Sequence, residues 1–268
     1  MRRADLHLHT SASDGASLET EQIFRLAQEK GLAAVTFTDH EGIANNAVGL
    51  ELGKHYGIDF LPGIEISGTW QGRMAHLLGF FQGEVGSSFE AFLKTQIWSA
   101  QQQTELASLT HLQARGIGVT RAEYDAEVEA GLDHAYHMAL ERLLQRKGIV
   151  PDAKAYGQEA NIEPAFPSAT VVIEAVHEAG GIVSLAHPVH DDEAEIGKLA
   201  RAGLDGVEVY HPSLDEAKTA DLEQVANRFG LLKTGGSDSH YYEEAAEQMG
   251  HRYSCDWDAV LQYFERIR

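Results

Sequence analysis

Cysteine is almost missing from this chain of 268 residues, with Cys255 the only one. A disulfide framework and a thiolate metal site within the chain are thereby excluded. Long apolar runs are lacking too, and none approaches the ~18 residues that a membrane span needs. Two arginines stand near the start, in MRRADLHLHT, but no apolar stretch follows them, which argues against a signal peptide. A cytoplasmic address without a membrane partner is the expectation. Basic residues are scarce: Lys+Arg number 21 against 41 Asp+Glu, a net charge of −20. With no Lys/Arg cluster to offset it, such a surface favours solubility and repels a long nucleic acid. Internal repeats and low-complexity linkers are absent, and the sequence sets no oligomeric state.

What the chain does have is a regular alternation. Short β-branched or apolar runs predict strands near 4–9, 33–38, 60–67, 74–80, 181–186, 205–210 and 231–236. Helical periodicity predicts helices over 18–30, 42–56, 169–179, 192–202, 214–228 and 256–267. Ser17 is the expected cap of the first, and Gly31 its stop. Strand–helix alternation on this scale implies an α/β fold whose parallel sheet closes, or nearly closes, into a barrel. Only the strands at 60–67 and 74–80 break the pattern, being joined by the short turn around GTWQGR. Between 85 and 166 the alternation stops in favour of one long and two shorter helical stretches. The expected organisation is therefore a barrel built from 1–84 and 167–268, with 85–166 a helical insertion forming a lid or substrate wall.

Histidines and acids recur where the apolar runs end. DLHLHTSASDG, AVTFTDH, LPGIEIS, AHLLGF, IVSLAHP and TGGSDSH supply His7, His9, Asp14, His40, Glu65, His76, His187, Asp238 and His240. His7 and His9 are two apart on a strand and project to one side, as do Asp238 and His240. Glu65 alternates with Ile64 and Ile66, and an inward glutamate is costly unless a metal or counter-charge meets it. Asp39 is placed to orient His40 through its second ring nitrogen. A buried, hydrogen-bonded histidine or an ordinary turn aspartate would explain any one of these sites. Recurrence at six strand ends calls for a shared cause. Imidazole and carboxylate without thiolate suit a cluster of two or three divalent ions, manganese first, with iron or zinc as alternatives.

These segments resemble the PHP family, the polymerase and histidinol phosphatase superfamily. HLHTSASDG, FTDH, GIEIS, AHLLGF, LAHP and GSDSH stand in order where its motifs would, from residue 5 to 240. The EAGGIVSLAHP run, the GVEVYHP strand and the helical insertion are most similar to stand-alone phosphoesterases related to nucleoside 3′,5′-bisphosphate phosphatases. The resemblance implies a distorted seven-stranded (β/α)7 barrel with a trinuclear metal centre at its mouth. It assigns His7, His9, Glu65 and Asp238 to one ion, Glu65, His76 and His187 to a second, and Asp14, His40 and His240 to a third. Nucleotide-specific relatives are expected to grip phosphate with arginines in the first insertion helix and an Arg-x-His start to a later one. Here those stretches read SAQQQTEL and AYH, with Ala135 in the arginine position. His137 is kept, and His134 and Arg142 are the remaining candidates for substrate contact. Glutamine cannot replace a bidentate arginine clamp, so the resemblance points less to a bisphosphorylated nucleotide than to another small phosphorylated substrate.

The expected activity is hydrolysis of a phosphate monoester of a small molecule by a hydroxide bridged between metals. Asp14 is counted with the catalytic residues, and His211 and His190, each just past a strand end, are candidates for the general acid, His211 also for substrate contact. The alternatives are a short-oligonucleotide 5′-3′ exonuclease, a metal-dependent C–N hydrolase and a metal-binding module without turnover.

Overall fold

The computed structural model describes residues 2–13, 16–130, 139–149 and 165–267. Nine strands among these residues fall into two sheets. One has β1 (Arg3–Asp5), β2 (Ala34–Val35), β3 (Asp59–Phe60) and β9 (Cys255–Asp256) in the order β3-β2-β1-β9. The other runs β4-β5-β6-β7-β8, from β4 (Gly63–Trp70) and β5 (Arg73–Phe80) through β6 (Ile182–Leu185) and β7 (Gly206–Tyr210) to β8 (Leu232–Gly235). Helices α1 (Thr20–Lys30) and α2 (Asn46–Tyr56) follow strands of the first sheet. Helices α7 (Ala169–Glu178), α8 (Glu193–Arg201) and α9 (Glu216–Phe229) serve the second, and α10 (Tyr242–Gln248) and α11 (Trp257–Ile267) end the chain's described part.

The expected seven-stranded barrel is not what forms. The strands make sheets of four and five rather than one closed sheet, and β4–β5, β5–β6 and β1–β9 are antiparallel. The cause is local. Gln71 and Gly72 both take positive φ, at 51° and 77°, which makes a tight hairpin turn and reverses β5 against β4. The apolar run expected as strand 4–9 also pairs regularly only over Arg3–Asp5. Beyond it the chain is held by single contacts: Leu6 N donates to Gly235 O at 3.0 Å, Thr38 N to Leu8 O at 2.8 Å and His9 N to Ser239 O at 3.1 Å. Leu8 bridges Ser239, and His40 bridges Glu65, as isolated parallel pairs. These bridges bring strand ends of the two sheets together, and the ligand-type residues lie on them.

Packing follows the sequence alternation. Ile64 and Ile66 enter a large core with Leu77, Val183, Leu185, Val207 and Val209, closed by α7, α8 and α9. Leu78, Phe80, Ala4, Leu6 and Leu232 enter a second core closed by Trp257, Val260 and Phe264 of α11. Full burial of each large aliphatic or aromatic side chain contributes on the order of 1.5–3 kcal/mol. The first helix begins at Thr20 rather than beside Ser17. Its cap is Glu19, in a reciprocal box with Gln22, and Gly31 ends it in the left-handed region at φ 67°.

Within 85–166 most of the described residues are helical. α3 (Ser87–Phe92), a π-helical segment (Leu93–Trp98) and α4 (Ser99–Ala114) form one continuous rod, followed by α5 (Arg121–Ala130) and α6 (Ala139–Arg146). Phe89, Leu93, Ile97 and Ala100 pack the rod onto the large core. Its far end joins α5 and α6 in a separate small core around Leu109, Leu112, Tyr124 and Leu140. The rod touches the strand ends directly, since the Trp98 indole N–H donates to the Glu41 carbonyl at 2.9 Å.

Candidate metal centre

Glu65, 1% exposed on β4, is the hub. Its Oε2 lies 3.2 Å from His7 Nε2, 3.2 Å from His9 Nε2 and 3.1 Å from His40 Nδ1. Its Oε1 lies 2.8 Å from His76 Nδ1 and 3.1 Å from His187 Nε2. Asp238 forms a second pole. Its Oδ1 is 3.0 Å from His9 Nε2 and 3.3 Å from His7 Nε2, while Oδ2 is 3.2 Å from His211 Nε2. His240 turns its Nδ1 to the Asp238 carbonyl at 2.9 Å and stacks on His9 with ring centroids 4.2 Å apart. The structure thus gathers eight of the nine expected ligands. Asp14 lies outside the described residues.

Each ligand is aimed by its neighbours in sequence. Leu6 and Leu8 are fully buried in different cores, which leaves His7 and His9 to share the opposite side. Gly236 makes room for this. A Cβ there would lie 2.3 Å from both the nitrogen and the Cβ of His7. Two ligands carry left-handed backbone, His187 at φ 29° and Asp238 at φ 51°, a conformation that costs a non-glycine residue energy and concentrates at functional sites. Hydrogen bonds hold both in place: His187 N donates to Glu208 Oε2 at 2.7 Å, and Asp238 N to the His7 carbonyl at 2.8 Å.

Glu208 was not among the expected residues, yet it is fully buried and accepts from His7 Nδ1 at 3.0 Å. Its signal was in the sequence, because Glu208 alternates with core Val207 and Val209 just as Glu65 does with its isoleucines. Ser13 was also passed over; its Oγ lies 3.2 Å from His9 Nδ1 and accepts from the His40 backbone at 3.1 Å. Asp39 does not take the role expected of it. Its carboxylate accepts from the Thr10 backbone at 2.6 Å and the Thr10 hydroxyl at 2.7 Å, and so fixes the segment that follows His9.

The other candidates are spread out. His211 is 5% exposed, with Nδ1 2.7 Å from Ser213 Oγ, so it sits among the ligands. His190 is exposed and lines a pocket together with His76 and His187. Arg142, on α6, donates to the Glu127 carbonyl at 3.1 Å. His134 and His137 lie outside the described residues.

Charge in the cluster is balanced internally. Burial pulls the His7 and His9 pKa values down, but the surrounding carboxylates outweigh it. For His7 these are Asp238, Glu208 and Glu65, which hold it well above the usual range; for His9, Asp238 and Glu65 raise the value to about 9. Burial also opposes ionisation of Glu65 and Asp238, yet their histidine neighbours hold both well below the usual carboxylate range. His40 is held well below its ordinary value, mainly by burial.

The donor set fits divalent cations. Donor atoms converge within 4.8 Å in four overlapping groups: His7, His9, Glu65 and Asp238; His40, Glu65 and His76; His9, His40 and His240; and His7, Glu208 and His211. The fit shows most clearly at His9 Nε2. It is buried and has no hydrogen-bond partner among the described residues, although two carboxylate oxygens lie within 3.2 Å. A buried nitrogen without a partner is rare unless something else uses it, and Glu208 at His7 is the carboxylate–histidine support that metal sites employ.

Comparison with known proteins agrees with this geometry. Residues 5–186 match the PHP domain family model. Three curated relatives are similar over most of the chain. A phosphoribosyl 1,2-cyclic phosphate 1,2-diphosphodiesterase of Eggerthella lenta is 30% identical over 251 residues, covering 88% of this chain and 93% of the relative. A 5′-3′ exoribonuclease of Haemophilus influenzae is 27% identical, covering 90% of each. A 3′,5′-nucleoside bisphosphate phosphatase of Chromobacterium violaceum is 29% identical, covering 94% and 92%. Among solved structures, a Bifidobacterium adolescentis protein assigned as a metal-dependent phosphoesterase shares the fold. Its TM-score is 0.76 at 23% identity, over 98% of this chain and 96% of that one.

Proposed function

The chain belongs to the PHP domain family, and on that footing we propose that this metal-dependent phosphoesterase hydrolyses a phosphate monoester of a small molecule. The observation that carries the reading is Glu65, a buried carboxylate whose two oxygens are met by five imidazoles from four separate segments. That arrangement suits a carboxylate bridging two ions. A third ion suits the His9, His40 and His240 group, and manganese is the first choice among Mn, Fe and Zn. Such ions supply an acidified water and neutralise phosphoryl oxygens.

The chain's own residues do the rest. Glu208 and Ser13 set the ring orientations of His7 and His9, leaving their Nε2 atoms directed at the centre. The strained backbones of His187 and Asp238 hold two ligands without freedom to relax. His211 is tied to Asp238 and Ser213 and serves as ligand or support. His190, exposed beside His187, is the better-placed group to give a proton to the departing oxygen. The rod and α5–α6 form a wall on one side, and a cytoplasmic setting suits the lone buried thiol.

The likeness to an exoribonuclease, 27% identical over 90% of each chain, keeps a second reading in view: removal of terminal nucleotides from a short RNA. The net charge of −20 disfavours it for long substrates. The test is to strip metal with chelator, restore manganese, and follow an aryl phosphate beside a short 5′-phosphorylated RNA. Manganese-dependent release of inorganic phosphate from the aryl ester supports the phosphatase. Mononucleotides from the RNA with no phosphate from the ester would replace it with the nuclease.

A further inference from the structure

A pocket of about 330 Å³ opens directly beside the centre, with His76 and His187 forming its inner end. Both of these histidines lie within 3.1 Å of Glu65, so anything held here is next to the phosphoryl site. The outer walls are apolar: the Trp70 ring, Met74 and Val189. Met74 and Val189 are 42% and 41% exposed, and they are two of only six large hydrophobic side chains left exposed among the described residues. Exposed apolar side chains gathered on a concave surface mark binding sites more often than chance placement.

The one arginine on the rim is already paired. The Arg73 guanidinium lies 2.9 Å from one Glu195 oxygen and 3.0 Å from the other, and 3.5 Å from Asp191. Arg73 is thus already committed to two carboxylates, so a second phosphate would have to displace them to reach its guanidinium. The indole N–H of Trp70 is buried and has no partner among the described residues.

We propose that this pocket receives the leaving group, and that the preferred substrate is a singly phosphorylated compound whose alcohol or phenol portion is one flat, uncharged ring system. The proposal rests on the phosphoester reading for the chemistry, and on the pocket alone for the specificity. A volume of 330 Å³ suits one ring system and its linker, not a run of nucleotides.

The two can be tested apart. Binding of phenylphosphonate and methylphosphonate to the manganese-loaded protein is measured by calorimetry, alongside turnover of phenyl phosphate. Wild-type protein should bind the phenyl compound at least about tenfold more tightly, the worth of a partly buried ring. That ratio should collapse in Trp70→Ala and in the double variant Met74→Ser/Val189→Ser, whose sites are exposed enough to leave folding intact. Equal affinities in wild type, or a ratio retained in both variants, overturns the pocket assignment. A phenyl preference that the variants lose, with no turnover of phenyl phosphate, keeps the pocket and sinks the hydrolase. Turnover without the preference does the reverse.

Discussion

Replacing Glu208 by glutamine removes one buried charge while keeping the side chain's shape. In the native protein one carboxylate oxygen accepts from His7 Nδ1 at 3.0 Å and the other from the His187 backbone N–H at 2.7 Å. Glutamine has one acceptor for these two donors, so its amide NH₂ must face one of them. Leaving a buried donor unpaired costs about 1–3 kcal/mol. The alternative is for His7 to move its proton to Nε2, which lies 3.2 Å from Glu65 and 3.3 Å from Asp238. That nitrogen would then donate, and could no longer ligate a cation. Either route weakens metal binding, and loss of such a supporting carboxylate typically costs 10–100-fold in affinity, about 1.4–2.7 kcal/mol. Titrating the chelated Glu208→Gln protein with manganese against a fluorescent competitor measures this. Isotherms that superimpose on wild type within about twofold would show that Glu208 does not orient the ligands.

Other perturbations follow from the same geometry. His9→Ala and Asp238→Ala should each lower bound metal below the wild-type stoichiometry and abolish turnover, as read by elemental analysis and phosphate release; full activity in either would refute the ligand set. Gly236→Ala places a Cβ 2.3 Å from the His7 backbone, so chemical denaturation should show a loss of about 1–3 kcal/mol, and an unchanged midpoint would contradict the close approach. In the chelated protein, His9 rises from its ordinary 6.5 to about 9. A raised histidine stabilises fully below 6.5 and loses that contribution as pH climbs through 9, so the metal-free melting temperature should fall between about pH 7 and above 9. A flat profile over that window would count against ionised imidazole in the cluster.

The clustering of the candidate ligands was legible because chemistry and periodicity coincide in them. His7 and His9 flanked by Leu6 and Leu8, and Glu65 between Ile64 and Ile66, state in one dimension which side faces the core. Glu208 obeys the same alternation and was missed because GVEVYHP was read for its histidine alone. The sheet arrangement was less legible, since strand pairing depends on direction, and direction here turns on two residues with positive φ, Gln71 and Gly72. β3 and β9, of two residues each, are too short to show any period. Asp39 was assigned to His40 by adjacency. Space decided otherwise, because Thr10 offers it a backbone and a hydroxyl donor at once.

A site this dense in carboxylates raises the question of what holds it together before a cation arrives. Glu65 and Glu208 are buried and Asp238 is half-buried beside them, and three negative charges in that volume would repel one another strongly. The histidines answer it: these same acids raise the pKa values of His7, His9 and His187, which favours charged imidazoles beside the carboxylates. Backbone bonds that involve no ligand atom, such as Leu6 to Gly235 and Thr38 to Leu8, set the strand ends independently. Residues that orient the ligand side chains, Glu208 above all, are therefore expected to tune metal affinity alongside the ligands themselves.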